Sequence, residues 1–289
     1  MSMYLKNSRA KYIFCIAFFF FVCEKEESIN NSSLPTDCAG VPGGTNICGC
    51  TDSTAFNYNN SATYDDGSCQ LHVDNGDYFI TFDGANAFVD LGGIHPEGSY
   101  TKAAWVKRQY AYNFKHNILS GNSSHAFWAP QSQGAKLSAG HQDNFFAVQD
   151  SDSLPEHIWT FVSVTYEASS GTMTLYKNNE QVDQATGVPL PEESTTTYIG
   201  RYGSGNVWYG NIDEVALWST ALSANEIAEI GQEANNFNAT IDRGNYESSN
   251  SLIGYWKMNE GVGSLLSDAS GNGNTGEMTY LVWSTCDEC

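Results

Sequence analysis

From residue 73 onward, apolar and polar positions alternate in short runs broken by turn formers, with the period of half-buried strands. Strands are predicted at 78–82, 87–91, 101–107, 117–120, 145–149, 159–166, 172–177, 197–201 and 209–218. Between them stand Asp83-Gly84, Ser170-Gly171, Asn178-Asn179 and Gly203-Ser204-Gly205, the residue types that tight hairpins require. One stretch carries two signals in succession. Ile212, Val215 and Leu217 alternate with Asp213, Glu214 and Ser219, and then Ser223 and Glu226 form a capping box that predicts a short helix to about Ile230. Many short strands with one brief helix predict an all-β, antiparallel sandwich or jelly roll over residues 73–285.

The first 72 residues read differently. Lys6, Arg9 and Lys11 precede an apolar run from Tyr12 to Val22, too short to span a bilayer and suited to an export signal over residues 1–23. The run closes on Cys23, followed by Glu24-Lys25-Glu26-Glu27. This arrangement resembles the lipid-bearing cysteine and charged export segment of Bacteroidetes lipoproteins. The resemblance implies lipidation of Cys23 and an outer-membrane or cell-surface location; an ordinary secretory signal, cut beyond Cys23, is the other reading. Residues 24–36 are polar and read as a tether.

Residues 37–70 hold Cys38, Cys48, Cys50 and Cys69 with almost no aliphatic core, so disulfides must hold this small module together. Its body, from Gly49-Cys50-Thr51-Asp52 to Asp65-Asp66-Gly67-Ser68-Cys69, resembles a short repeat of secreted marine bacterial proteins. Cys286 and Cys289 bring the mature count to six, an even number that suits an oxidising compartment. Spacing leaves the connectivity open. The expected pairs are Cys50 with Cys69 and Cys38 with Cys48, with Cys286 and Cys289 as a terminal staple over 286–289.

Several motifs follow one another in order. They are Phe82-Asp83-Gly84 leading to Phe88-Val89-Asp90-Leu91, Thr101-Lys102-Ala103-Ala104-Trp105-Val106-Lys107, and the strand from Trp159 to Tyr166. The hairpin Leu175-Tyr176-Lys177-Asn178, then Tyr198-Ile199-Gly200-Arg201 and Asn211-Ile212-Asp213-Glu214-Val215, come next. Tyr255-Trp256 with Asn259-Glu260-Gly261, and Asp268-Ala269-Ser270-Gly271-Asn272-Gly273-Asn274, close the series. Together they resemble the laminin-G-like, concanavalin A-like jelly-roll family over nearly all of residues 73–285. The resemblance implies a recognition and adhesion scaffold in which the tail completes the same sandwich.

Charge and chemistry narrow the function. With 13 Lys and Arg against 33 Asp and Glu, the net charge of −20 excludes a nucleic-acid partner. There is no nucleophile elbow, phosphate-binding loop or H-E-x-x-H zinc motif. A retaining glycosidase needs two carboxylates about 5 Å apart. Asp213 and Glu214 are adjacent, and on a regular strand adjacent side chains face opposite ways. His72, His95, His116, His125, His141 and His157 are scattered, which predicts solvated or hydrogen-bonded structural roles.

Two constellations point to binding. Asp268 and Asn272 offer the hard oxygen ligands of calcium, with Asp213 and Glu260 as completers; a plain turn is the alternative. Asp65-Asp66 reads as turn chemistry. Trp128, Trp208, Tyr209 and Tyr112 are the candidates for sugar stacking, while Trp105, Trp159, Trp218 and Trp256 fall in core patterns. The expectation is a non-catalytic secreted or surface protein presenting a jelly roll to a glycan or extracellular protein, with membrane contact only through a lipid anchor. A glycoside hydrolase with carboxylates from separate strands, and a structural spacer, are the competing classes.

Overall fold

The structure, a computed structural model, describes residues 35–51, 59–69, 78–112, 114–121, 125–203, 205–231 and 238–285. Cys23, His72, Cys286 and Cys289 lie outside the described residues, as do the predicted export signal and most of the predicted tether. The chain forms two compact units, residues 1–44 and 45–289. In the first, Asp37 Oδ1 accepts the amides of Ala39 and Val41 at 3.1 and 2.9 Å, closing a turn through Gly40. Cys38 of this unit is disulfide-bonded.

The second unit opens with the small module. Strands β1 (Cys48–Gly49) and β2 (Tyr64–Asp65) pair in parallel. Cys50 is joined to Cys69, and Cys48 is disulfide-bonded, in accord with the expected pairing. Asp65 and Asp66 each accept the amide two residues on, from Gly67 and Ser68, so both carboxylates shape a turn.

The sandwich begins with β3 (Tyr78–Asp83), whose last carboxylate accepts the amides of Ala85, Asn86 and Ala87 and turns the chain into β4 (Phe88–Asp90). Then come β5 (Tyr100–Arg108), β6 (Leu119–Gly121), β7 (His125–Trp128), β8 (Lys136–His141) and β9 (Asn144–Ser153). They are followed by β10 (Trp159–Glu167), β11 (Thr172–Lys177) and β12 (Glu180–Ala185). Asn178 and Asn179 connect the last two strands with φ of 48° and 69°, the left-handed pair that a two-residue hairpin demands.

Three short strands, β13 (Thr197–Ile199), β14 (Arg201–Tyr202) and β15 (Asn206–Val207), lead into the long β16 (Tyr209–Trp218). Helix α1 (Ala224–Gly231) follows, and β17 (Leu252–Trp256), β18 (Leu265–Leu266), β19 (Gly276–Thr279) and β20 (Val282–Thr285) end the described chain. The larger sheet runs β12-β11-β10-β5-β16-β3-β20, with β17 also on β16; the others after β2 are β18-β19-β4-β13-β6, β7-β8-β9 and the pair β14-β15. Both β17 and β20 join the larger sheet while β18 and β19 join the second, so the tail completes the sandwich. Among the described residues, no helix is long and apolar enough to cross a membrane.

Strand β5 shows how the layers form. Tyr100, Ala104 and Val106 enter the core that the sheets share, with Phe82, Val89, Phe127, Val164 and Ile199. Ala103 and Trp105 point the other way, into a second core with Trp218, Ile227, Ile230 and Tyr255. A strand buried on both faces is apolar at nearly every position, and each large side chain so buried contributes about 1.5–3 kcal/mol. Helix α1 covers this outer face through Ile227 and Ile230, one turn apart. Its capping box is formed: the Glu226 amide donates to Ser223 Oγ at 3.3 Å, and the Ser223 amide donates to Glu226 Oε2 at 2.8 Å. Replacing Ser223 with Ala is expected to cost about 1 kcal/mol, a melting point 2–4 °C lower by calorimetry.

Strand β16 departs from the predicted regular alternation. Between Asp213, opposite Trp105, and Ala216, opposite Ala103, it spends one residue more than β5. Glu214 absorbs the extra residue in the left-handed region, with φ of 49°. The bulge puts Ile212, Val215 and Leu217 into one core, which strict alternation could not do.

Candidate functional site

Strand β7 presents its two faces to different chemistry. His125 and Phe127 point into the sandwich, while Ala126 and Trp128 line a cavity of about 220 Å³. Phe145 from β9, Tyr202 from β14 and Asn206 from β15 complete its walls, with Lys115 and Asn117 from the segment before β6. Trp128 is fixed there: its indole N–H donates to the Phe145 carbonyl at 3.1 Å, and its ring lies 5.0 Å from that of Phe146. Phe145 and Tyr202 face one another at 6.1 Å. Asn117 is committed to the scaffold, donating to the Asn206 carbonyl at 3.0 Å and accepting from Ser120 Oγ at 3.1 Å. The side chains of Lys115 and Asn206 make no hydrogen bond among the described residues. The cavity therefore has an aromatic wall, with the Lys115 ammonium and the Asn206 amide among its lining groups and uncommitted among the described residues.

The other aromatic candidates go elsewhere. Trp208 is fully buried, its ring edge-on to His116 at 5.3 Å, so it packs the core and cannot stack on a ligand. Tyr209 lies against Phe114 at 5.7 Å. Tyr112 is 78 % exposed on a loop.

The proposed calcium residues are separated in their work. Asp268 Oδ1 accepts the amides of Tyr255 and Ser270, and Oδ2 that of Asn274, filling three of a carboxylate's roughly four acceptor positions. Burial raises the Asp268 pKa, but these hydrogen bonds outweigh it and hold the carboxyl below its ordinary value. Asn272 turns its amide N–H groups on the carbonyls of Leu252 and Ile253. Glu260 Oε1 accepts from the Ser267 amide at 2.7 Å, while its Oε2 is buried without a partner among the described residues. Asp213 is buried in β16. Among the described residues, no three His, Cys, Asp or Glu side chains come together as metal ligands would.

One expectation needs correction, and another is decided between its two alternatives. The bulge undoes the opposite facing of Asp213 and Glu214: Asp213 stands level with Trp105, and the Glu214 carboxylate accepts the hydroxyl proton of Tyr255, a residue of the same outer core. Of the two roles expected for the histidines, hydrogen-bonded rather than solvated holds for His95, His125 and His141, each bonded to a backbone carbonyl. His95, His116, His125 and His141 are buried, and three of them converge with Tyr100 and Lys102 inside the sandwich. Burial first, and nearby positive charge second, depress their affinity for protons. His116 beside Arg108, and His125 beside Lys102, both fall to about 3. Burial and Lys102 hold His95 well below the usual range, and burial lowers His141 despite its bond to the Pro189 carbonyl. Burial likewise depresses Lys102.

A family profile described as the concanavalin A-like lectin/glucanases superfamily matches residues 74–228, more than half of the chain. The chain belongs to this superfamily. Among solved structures, the concanavalin A-like domain is similar to a candidate carbohydrate-binding protein from Bacteroides ovatus, with 19 % identity and a TM-score of 0.57. The match covers 76 % of this chain and 62 % of that one, so the chain spans less than two thirds of that protein's length. It is also similar to a heptameric SAP-like pentraxin from Limulus polyphemus, at 16 % identity and a TM-score of 0.48, covering 74 % and 97 % of the two chains. At such identities the likeness is one of fold. No curated protein matches the chain.

In this superfamily domain, the sequence reading found Trp128 but missed its partners Phe145 and Tyr202. Alternation could not have found them: β9 is irregular between Asn144 and Val148, and both Phe145 and Phe146 lie against Trp128.

Proposed function

We propose that the chain is an exported, non-catalytic binding module that holds a glycan in the cavity between Trp128, Phe145 and Tyr202. The carrying observation is the cavity itself. Apolar sugar faces stack on aromatic rings, and the free side chains of Lys115 and Asn206 supply the few polar contacts that orient a ligand. A site of about 150 Å³ takes benzene, so 220 Å³ suits one sugar ring of a longer chain. None of the lining residues carries a carboxyl group, which favours binding over hydrolysis. The Cys50–Cys69 disulfide supports export. The test is a glycan array probed with the whole chain, with and without chelator. Binding to a restricted set of neutral glycans is the expected result. A silent array with a protein captured by pull-down would move the ligand class to protein, and silence in both would favour the spacer.

Calcium assistance is the second arm of that array. Asp268, with three amide donors already on its carboxylate, is read as a pin for the loop, and Glu260 as the candidate with an uncommitted oxygen. Asp268→Ala is expected to cost about 1.5–3 kcal/mol, equally in calcium and in chelator, because the amides lose a charged acceptor. A melting difference between the two buffers that vanishes in this variant would make Asp268 a ligand instead.

A further inference from the structure

The buried polar cluster can be read proton by proton. A carbonyl only accepts, so His125 Nε2 carries the hydrogen that meets the Glu192 carbonyl at 2.8 Å, and His141 Nε2 carries the one that meets Pro189. His95 Nδ1 likewise faces the Pro96 carbonyl at 3.1 Å. In each neutral ring the other nitrogen is then a bare acceptor. His141 Nδ1 takes the Tyr100 hydroxyl at 3.3 Å. His95 Nε2 and His125 Nδ1 have no partner among the described residues, although their rings stack at 3.5 Å. Lys102 Nζ donates to the Leu119 and His125 carbonyls at 3.1 and 3.2 Å and lies 5.3 Å from the Tyr100 ring.

These groups hold down a strap. Residues 188–192 belong to no strand, and Pro189 and Pro191 have no amide hydrogen to give. Val188 anchors the start of the strap, its side chain in the core and its amide on the Gly171 carbonyl at 2.9 Å. From there the strap is tied by side-chain donors: Tyr166 on the Val188 and Pro189 carbonyls, His141 on Pro189, Gln142 on Leu190 and His125 on Glu192. Glu192, with its neighbour Glu193, is exposed. The same histidines sit behind the aromatic cavity, since His125 alternates with Ala126 and Trp128 on β7 and His141 pairs with both His125 and Asn144 beside Phe145.

We propose that the strap and the histidines beneath it form an acid-released latch: proton uptake by the cluster frees residues 188–192, slackens β7–β9 and opens the aromatic cavity on their outer face. A proton on any ring places charge beside Lys102 in a dry interior. It also turns a bare acceptor into a donor facing Tyr100 or a neighbouring ring. Releasing a strap held by side chains costs less than unfolding the ladders of β10 and β11, so the opening is local. Tyr100, Lys102 and Tyr166 are the other titratable groups of the cluster, and the depressed proton affinities of the three rings agree with its dryness. The consequence for ligand release rests on the cavity being the binding site; the latch does not.

Hydrogen exchange of the whole chain at pH 7 and pH 5, without ligand, tests it. After correction for intrinsic rates, protection in β7, β8 and the strap is expected to fall at least ten-fold at pH 5 and, at both pH values, to stay below that of β10 and β11, which open only with the whole domain. In the double variant His125→Gln, His141→Gln, whose amides can donate to the same carbonyls but cannot titrate, the fall should shrink below three-fold. Unchanged protection in the wild type, protection of the strap, β7 and β8 equal to that of β10 and β11 at both pH values, or the same loss in the double variant overturns the latch. The ring Cε1 resonances of the wild type give a second reading that needs no variant. Titration of His125 and His141 near 6.5 with the strap signals intact would also overturn it. Because no ligand is added, a silent glycan array would count against the binding site and leave this result standing.

Discussion

At pH 4.5 the jelly roll is expected to melt about 10–20 °C below its melting point at pH 7. His95, His116 and His125 are buried, and burial keeps all three neutral well below the pH at which free histidine charges. The unfolded chain takes up their protons near 6.5, so it binds more protons than the native state below that pH, and stability falls as pH falls. Over this interval each ring costs about 2.5 kcal/mol, and the three together on the order of 5–8 kcal/mol. A domain of this size moves by about 2–4 °C per kcal/mol. The carboxylates held low by hydrogen bonds, Asp83, Glu226 and Asp268 among them, have the same sign and add to the loss from about pH 5 downward. Lys102, depressed from above, extends the rise past neutrality, since the unfolded chain keeps that proton to about 10.4. Tyr100 and Tyr255, raised by burial, reverse it above about pH 10. The stability maximum should therefore lie on the alkaline side of pH 7. Calorimetry from pH 4.5 to 9 checks this, and a melting point flat across pH 4.5–7 would mean that these rings charge freely in the fold.

How much of this was legible in the sequence depends on what each strand buries. Strands β5, β10, β11 and β16 bury apolar residues on the shared core, and their periods stand out. Strands β7 and β8 were not predicted, because His125, Ser138 and His141 occupy buried positions and break the apolar count. That omission hid both the cavity and the cluster behind it. Local rules fail here because the interior is polar, which is where a protein departs from them for a purpose. The bulge at Glu214 was equally silent, since no glycine or asparagine marks its left-handed residue. Turn chemistry was the most transparent feature. Asn178-Asn179 and the Ser223–Glu226 box form as their residue types require.

The binding site itself is tested most directly by titrating a glycan from the array into the wild type, Trp128→Ala and Tyr112→Ala. Trp128 is the aromatic whose indole is pinned to Phe145 and which lines the cavity, whereas Tyr112 stands exposed on a loop and is not one of the lining residues. A central tryptophan anchor is worth about 2 kcal/mol or more, so Trp128→Ala should weaken binding roughly 30-fold. Its melting point should stay within a few degrees, because the ring is only partly buried. Tyr112→Ala should bind within two-fold of the wild type. Full affinity in Trp128→Ala, or a loss confined to Tyr112→Ala, would contradict the account and place the ligand elsewhere on the sandwich.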